Sequence, residues 1–314
     1  SDDDGNGGLF DNFKEYGIAP ITYSDIKNYI LINMVDYDRF WSEVYTNELH
    51  HLVYIPFYLR ELINIYKRKN TLPQKSRIME EIICNRFNSD CQKYIRTKDL
   101  ENYEEEIFSC LEKLAFSIQC LRVTKISNIN YQKLFNKTQR DIIGYSGVFS
   151  KDTDNNWSFD HNNFREYLAA KYINKLPLSK LQKLICNKHG KIINSWVNVL
   201  SYLVLIREDN DLLSLLMDND PEMIIRFERS RVDENTRNEI SIKILDDFSQ
   251  KSMWLSHGLN SSDAIAKFGQ SKKLCEHLLK QISNPINFKT QCNALSVLSE
   301  FTELFGMETE IRSL

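Results

Sequence analysis

The strongest constraint on how this chain folds is a change of periodicity between residues 148 and 173. Val148–Phe149 and Trp157–Phe159 are short apolar runs, and residues 152–156 between them are Asp, Thr, Asp, Asn and Asn. A polar segment of this kind is typical of the turn that closes a β-hairpin. From Phe164 onward the apolar residues recur at helical spacing. The chain is therefore expected to pass directly from a hairpin into an amphipathic helix.

The expected helix has one face rich in apolar residues, and His161 stands at its junction with the hairpin. The spacing of three and four residues places Phe164 and Leu168 on the apolar face. The polar residues of the first turn are expected to face solvent: Asn162, Arg165 and Glu166. A hairpin followed at once by such a helix is typical of the end of a winged-helix module, in which the hairpin is the wing.

Composition sets the fold class. The chain has 314 residues, of which 42% are hydrophobic and 26% are charged, so it is too long for one compact helical domain. Only 10 Gly and 6 Pro interrupt it, which favours a mainly α fold. We expect a helical domain and a winged-helix domain with a small β-hairpin, followed by an α-helical, HEAT-like region. The formal net charge of −3 argues against a nucleic-acid partner for the chain as a whole, because phosphate neutralisation needs a basic face, and it leaves open only a local basic patch.

The seven cysteines lack C-x-x-C spacing, which favours reduced thiols in a cytoplasmic protein. No apolar run approaches the roughly 20 residues of a membrane span, so no membrane association is expected. There is no signal peptide, and the first residue is Ser rather than Met, which suggests a piece excised from a longer protein. No histidine has a Cys or a carboxylate residue at the spacing of a zinc site, so no metal site is predicted.

Capping residues, prolines and apolar periodicity predict several helices. Ser24 is a plausible N-cap for a helix over 25–32, and Pro56 suits the first turn of a helix that ends near Lys69. Another is expected over 131–140. Near the C-terminal end, 263–282 and 288–305 form an expected helix pair around Asn284-Pro285. The pair is similar to one HEAT-like repeat, a unit that needs stacked neighbours to bury its apolar face.

The densest motif is Phe159-Asp-His161-Asn-Asn-Phe164-Arg-Glu-Tyr-Leu-Ala-Ala170. It resembles the phrase that ends the winged-helix domain of the NACHT class of STAND signalling ATPases. Upstream, Ile55-Pro56-Phe57-Tyr-Leu59 followed by Leu72-Pro73 resembles the proline-containing helix and connector of that family. Ile18-Ala-Pro20-Ile21 is similar to the last strand of its ATPase core, within a strand expected over 13–21.

The resemblance implies five regions. They are 1–21, the end of the NACHT nucleotide-binding core; 22–70, the first helical domain; 71–175, the winged-helix domain; 176–258, a second helical domain; and 259–314, the start of HEAT-like repeats.

A nucleotide switch is the function that the resemblance implies. In the closed state of such proteins the winged-helix histidine, here His161, contacts the β-phosphate of ADP, and the helical-domain proline, here Pro56, lines the adenine pocket. Exchange for ATP, held with Mg²⁺, then releases the winged helix and permits homo-oligomerisation. A protein trigger would act on a C-terminal sensor that this chain lacks. Lys- and Asn-rich usage suggests a bacterial antiviral member of the family.

The chain departs from the family at the catalytic core. It contains no G-x-x-x-x-G-K-[ST] loop, because Gly190-Lys191 lacks the leading glycine and the following Ser or Thr, and no Walker B strand is evident. Without a phosphate cradle and a magnesium site this chain is not expected to hydrolyse ATP, and no catalytic residue is predicted. The core is expected to precede Ser1, and most of the nucleotide site would lie there.

Other interpretations stay open. His161 could be a helix-cap or core histidine with a satisfied hydrogen bond. A winged helix can also bind DNA, with Lys133, Lys137 and Arg140 as the recognition face and the Trp157 hairpin in a minor groove. A third possibility is a helical scaffold that binds other proteins.

Overall fold

The computed structural model describes residues 21–47, 49–50, 52–74, 77–94, 99–207, 211–227, 229–255 and 261–312. The chain divides into two compact units, Ser1–Lys75 and Ser76–Leu314. The described residues are mainly helical and include a small antiparallel sheet, which confirms the expected fold class at this level. The strand predicted over 13–21, with its Ile18-Ala-Pro20-Ile21 motif, lies outside the described residues except for Ile21.

The first unit contains α1 (Tyr23–Ile32), α2 (Tyr37–Thr46) and α3 (Pro56–Lys69), and α3 has the predicted bounds. The N-cap of α1 is Thr22 rather than the predicted Ser24. The Thr22 hydroxyl accepts a hydrogen bond from the Asp25 N–H at 3.2 Å, and the Asp25 carboxylate accepts one from the Thr22 N–H at 2.9 Å. This reciprocal capping box outweighs a single capping hydroxyl at position 24, so the helix begins earlier.

The first part of the second unit holds the sheet. Its elements are α4 (Ile78–Tyr94), α5 (Glu104–Leu121), β1 (Ile126–Ser127), α6 (Asn128–Leu134), α7 (Lys137–Ile143), β2 (Phe149–Lys151), β3 (Asn156–Phe159) and α8 (Asn162–Asn174). The predicted hairpin is confirmed as β2 and β3, which pair antiparallel with Phe149 opposite Phe159. The unpredicted strand β1 adds to the other edge of β3, giving the order β1-β3-β2.

The single helix predicted over 131–140 is in fact two helices, α6 and α7. The Asn136 side chain accepts a hydrogen bond from the Gln139 N–H at 2.9 Å, and the Gln139 side chain accepts one from the Asn136 N–H at 3.2 Å. Because these bonds form a capping box, a new helix starts at Lys137 although the apolar periodicity continues.

The rest of the second unit is helical. Its α-helices are α9 (Leu178–Ile185), α10 (Val197–Ile206), α11 (Asp211–Asn219), α12 (Pro221–Ile224), α13 (Glu234–Gln250), α14 (Ser262–Gly269), α15 (Lys272–Ser283), α16 (Phe288–Ser299) and α17 (Glu308–Arg312). The helix predicted over 263–282 is interrupted before Ser271, whose hydroxyl accepts the Leu274 N–H at 3.1 Å and caps α15. Its predicted partner over 288–305 ends at Ser299.

All seven cysteines are free thiols, and Cys91, Cys110 and Cys275 are buried. Burial raises the pKa of the Cys110 thiol to about 11, so this thiol is protonated at neutral pH. Within the described ranges, none of the helices combines the length and apolar character that crossing a membrane requires.

Candidate functional site

His161 lies where the hairpin ends, as the N-cap residue of α8. Its backbone is extended, with φ −141° and ψ 137°, and its Nδ1 atom accepts a hydrogen bond from the Asn163 N–H at 3.1 Å. Histidine is not among the preferred N-cap residues, but here its ring nitrogen takes the role that a Ser or Asp oxygen usually has. The helix-cap interpretation left open by the sequence is therefore correct for Nδ1.

The cap also determines the tautomer of the ring. A neutral imidazole has one donor and one acceptor nitrogen, so with Nδ1 accepting, the proton lies on Nε2. Burial lowers the pKa of His161, and the nearby Arg86 guanidinium lowers it further, while the Glu166 carboxylate acts in the opposite direction. His161 at pH 7 is thus a neutral ring whose Nε2 is a hydrogen-bond donor.

Arg86 of α4 lies beside the start of α8. Its Nη1 atom is 3.8 Å from Oδ2 of Asp160, and its guanidinium carbon is 5.0 Å from the centroid of the Phe164 ring. The His161 ring meets the same Phe164 ring edge to face, with 6.1 Å between centroids. A positive charge and an aromatic face therefore surround the turn that carries His161.

Glu166 was predicted to face solvent, and this is wrong, because the residue is only 8% exposed. Its Oε1 atom accepts a hydrogen bond from Asn198 Nδ2 at 3.0 Å and lies 3.5 Å from Nη2 of Arg165, whose side chain is also largely buried. The physical reason is that α8 packs against α5 on one side and α10 on another, so its polar side chains are covered as well.

Pro56 lies in the first unit, at the first position of α3. It lines a pocket of about 590 Å³. The other lining residues are Ile21, Asp25, Tyr29, Phe57, Leu59 and Arg60. Hydrogen bonds from Thr22 lower the pKa of Asp25, so its carboxylate is ionised at neutral pH. The pocket thus combines apolar and aromatic walls with one carboxylate and one guanidinium, a set that suits a flat heteroaromatic ring.

The residues considered for DNA recognition differ in how far they are packed against the protein or exposed to solvent. The Trp157 ring stacks on Tyr131 at 4.6 Å and on Phe149 at 5.2 Å, and its Nε1 donates to Asn128 at 3.1 Å. Because two neighbouring rings and Asn128 engage this half-buried side chain, Trp157 packs against α6 and β2 rather than projecting as an inserting side chain. Arg140 donates to backbone carbonyls at the end of α6. Lys133 and Lys137 are exposed.

A second pocket, of about 790 Å³, was not anticipated from the sequence. Asp220, Lys191 and Arg122 are among its lining residues. The buried Asp220 carboxylate lies 3.2 Å from Nζ of Lys191 and accepts a hydrogen bond from the Ile192 N–H at 3.1 Å. Its charge is therefore satisfied within the protein. Among the described residues there is no cluster of three or more His, Cys, Asp or Glu side chains that could hold a metal ion.

Sequence reasoning also missed Arg86 and Asp90, two residues of α4 that act on the region around His161. Both contact Gly147, which precedes the hairpin. The only available signal was their spacing of four residues, which places them on one face of a helix. Their partner is about 60 residues away in the chain, so its identity depends on tertiary structure.

In comparisons with known proteins, no family model matches this chain, and no curated protein matches it either.

Proposed function

We propose that this chain is the regulatory portion of a NACHT-type STAND ATPase, a switch that holds ADP in its closed state. In this proposal the main nucleotide site, with its Mg²⁺, belongs to a core that precedes the chain. His161 contacts the β-phosphate and Pro56 lines the adenine pocket. ATP exchange permits homo-oligomerisation and effector activation in response to a protein trigger, in immune or antiphage defence.

The order of elements in the second unit supports the winged-helix assignment. A helix (α5) is followed by a short strand, two short helices (α6 and α7), the hairpin β2–β3 and then α8. This order supports the proposed winged-helix module, in which β2–β3 would be the wing. The aromatic stack of Tyr131, Phe149 and Trp157 joins α6 to both hairpin strands.

The packing of the last helices supports the HEAT-like proposal. The neighbours α15 and α16 are joined by a short connection and pack extensively against each other. In addition, α13 packs against α14, and both of these helices pack against α16. Helix pairs stacked on helix pairs are the architecture of an α-solenoid.

The observation that carries the proposal is the geometry of His161. The ring is anchored through Nδ1, it is neutral at pH 7, and Nε2 carries its proton. A neutral donor next to a helix N-terminus suits a phosphate oxygen, because the helix dipole also favours negative charge there. The pocket that Pro56 lines, with its aromatic Tyr29 and Phe57, supports the adenine half of the proposal independently.

A contact that exists only in the closed state biases the equilibrium toward that state by its own free energy. His161 is thus proposed as a regulatory contact and not as a catalytic residue. Its loss should destabilise the ADP-bound closed state without removing the nucleotide site.

Two measurements test this function. The isolated chain should bind ADP only weakly in calorimetry, because the phosphate cradle is elsewhere, and an affinity in the micromolar range or tighter would overturn this. The same chain joined to its preceding core should retain ADP through gel filtration. Replacement of His161 by Ala should then reduce the retained ADP, and unchanged retention would refute the phosphate contact.

A further inference from the structure

Gly147, two residues before β2, is hydrogen-bonded through both its N–H and its carbonyl oxygen to side chains of α4. Its N–H donates to Oδ2 of Asp90 at 2.6 Å, and its carbonyl oxygen accepts a hydrogen bond from Nη1 of Arg86 at 3.3 Å. Arg86 and Asp90 are four residues apart in α4, so they lie on the same face of that helix. Together they bind the donor and the acceptor of one peptide segment.

The Asp90 carboxylate occupies the space that a side chain at position 147 would take. A Cβ atom built there would lie 2.8 Å from Oδ2 and 2.9 Å from Oδ1 of Asp90. The observed approach of this carboxylate to the backbone therefore depends on glycine, and a larger residue would displace it.

The same arginine reaches the other end of the hairpin. Its guanidinium lies 3.8 Å from the Asp160 carboxylate and 5.0 Å from the centre of the Phe164 ring. Asp160 is further held by the Ser150 hydroxyl, which donates to its Oδ1 at 2.8 Å. Arg86 thus links Gly147, two residues before β2, to Asp160 and Phe164, which lie on either side of the His161–Asn163 capping bond.

The contacts between α4 and α8 continue away from this point. Nζ of Lys171 is 2.7 Å from Oε1 of Glu80, which lies about 1.7 turns before Arg86 in α4. The pairs Arg86–Phe164 and Glu80–Lys171 run in opposite order along the two helices, so α4 and α8 are antiparallel. The helix that carries His161 as its cap is therefore fixed to α4 near both of its ends.

We infer that Arg86 and Asp90 form a clamp on Gly147, and that through this clamp they are positioning residues for the imidazole of His161. That Arg86 and Asp90 position the imidazole rests on the described contacts alone. Its meaning for a nucleotide switch rests on the proposed function, because only there is His161 a phosphate contact.

The position of Arg86 beside the imidazole has an electrostatic consequence that can be measured. The charged groups near the imidazole are Arg86 from α4, Asp160 beside it in the chain and Glu166 from α8. Arg86 lowers the pKa of His161 and Glu166 raises it. If Arg86 holds its charge next to the ring, removing that charge must raise the pKa of His161.

The test is an NMR titration of the imidazole Hε1 resonances in the chain itself, without nucleotide. The chain contains six histidines, and the resonance lost in His161→Asn assigns the one of interest. We expect Arg86→Gln to raise the pKa of His161. The matched control is Lys133→Gln, which removes one positive charge from an exposed position of α6 and should leave this pKa unchanged. An unchanged pKa in a natively folded Arg86→Gln protein would overturn the inference.

A second readout covers the case in which Arg86→Gln does not fold. Asp90→Ala removes the acceptor of the Gly147 N–H, so amide exchange at Gly147 should become faster by at least tenfold. Arg86→Lys keeps the charge, so the His161 pKa should stay near the wild-type value in that variant. Wild-type exchange at Gly147 in Asp90→Ala, whose removed carboxylate accepts the Gly147 N–H, would refute the clamp.

These measurements fail independently of the proposed function. If the His161 pKa and the Gly147 amide exchange change in the variants as expected, while His161→Ala retains ADP like the wild type, the clamp is supported and the phosphate contact is refuted. If neither quantity changes in the variants but His161→Ala loses ADP, only the clamp is refuted.

Discussion

The Nδ1 atom of His161 accepts a hydrogen bond from the backbone N–H of Asn163 at 3.1 Å, so one ring both caps a helix and presents a donor at Nε2. These two roles can be separated by substitution. His161→Asn keeps a preferred N-cap residue and should leave the stability nearly unchanged, whereas His161→Ala should cost about 1 kcal/mol. Urea unfolding followed by circular dichroism measures both. Equal stability of the Ala and Asn variants would show that the cap contributes nothing.

The pH dependence of stability should carry the signature of His161. Its pKa in the folded protein is below the unfolded value of about 6.5, because burial and Arg86 disfavour the charged ring. The unfolded chain therefore takes up the proton first, and stability is lost as pH falls from about 6.5 through the folded pKa. Above that range the contribution is complete.

His161→Asn provides the comparison for this pH effect, since it keeps the cap and removes the titrating ring. The free energy of unfolding of wild type relative to this variant should be constant well above the unfolded pKa of about 6.5 and should fall as the pH decreases below it. A difference that rises as pH falls would mean that the ring is stabilised in its charged form.

Gly147→Ala should destabilise the protein by roughly 1–3 kcal/mol, because the added methyl group would lie within 3 Å of both Asp90 carboxylate oxygens. Gly144→Ala is the matched control. A Cβ atom there meets nothing closer than 3.3 Å, and the residue has an ordinary helical φ of −61°. Thermal unfolding of the two variants compares them directly. An equal effect at both sites would contradict the close approach of α4 to residue 147.

A second close approach lies between α13 and α14. A Cβ atom on Gly269 would lie 2.2 Å from Oγ of the buried Ser241, a hydroxyl with no hydrogen-bond partner among the described residues. Gly269→Ala should therefore cost roughly 1–3 kcal/mol. Ser241→Ala alone should be close to neutral, and in the double variant it should recover part of the loss. Chemical denaturation of all four proteins gives the coupling, and strict additivity would argue against the contact.

The sequence predicts best where a local signal has no competitor. Within a helix, proline fits best in the first turn, so Pro56 predicts the start of α3. The Asp- and Asn-rich turn between Val148 and Phe159 predicts the hairpin for the same reason.

The sequence predicts helix boundaries less well where a cap interrupts a continuing apolar pattern. Asn136 and Ser271 each start a new helix, and the hydrophobic periodicity on either side does not reveal this. Strand β1 has only two residues, too few for any alternating pattern.

The surroundings of His161 depend on contacts between distant parts of the chain. Glu166 is a charged residue of the kind usually found at the surface, yet it is buried and accepts a hydrogen bond from Asn198 of α10. Arg86 and Gly147 meet across about 60 residues of chain. Local patterns therefore identify His161 as a candidate but contain no information about the groups that set its charge.

The most direct test of the central proposal is the rate at which fluorescently labelled ADP leaves the protein that carries both this chain and its preceding core. A hydrogen bond to a charged group contributes about 1.5–3 kcal/mol, so loss of the imidazole should accelerate release by roughly tenfold or more. Acceleration in both His161→Ala and His161→Asn is the predicted result, because both lack the ring while Asn keeps the cap. Unchanged release in both, or acceleration in the Ala variant alone, would contradict the phosphate contact.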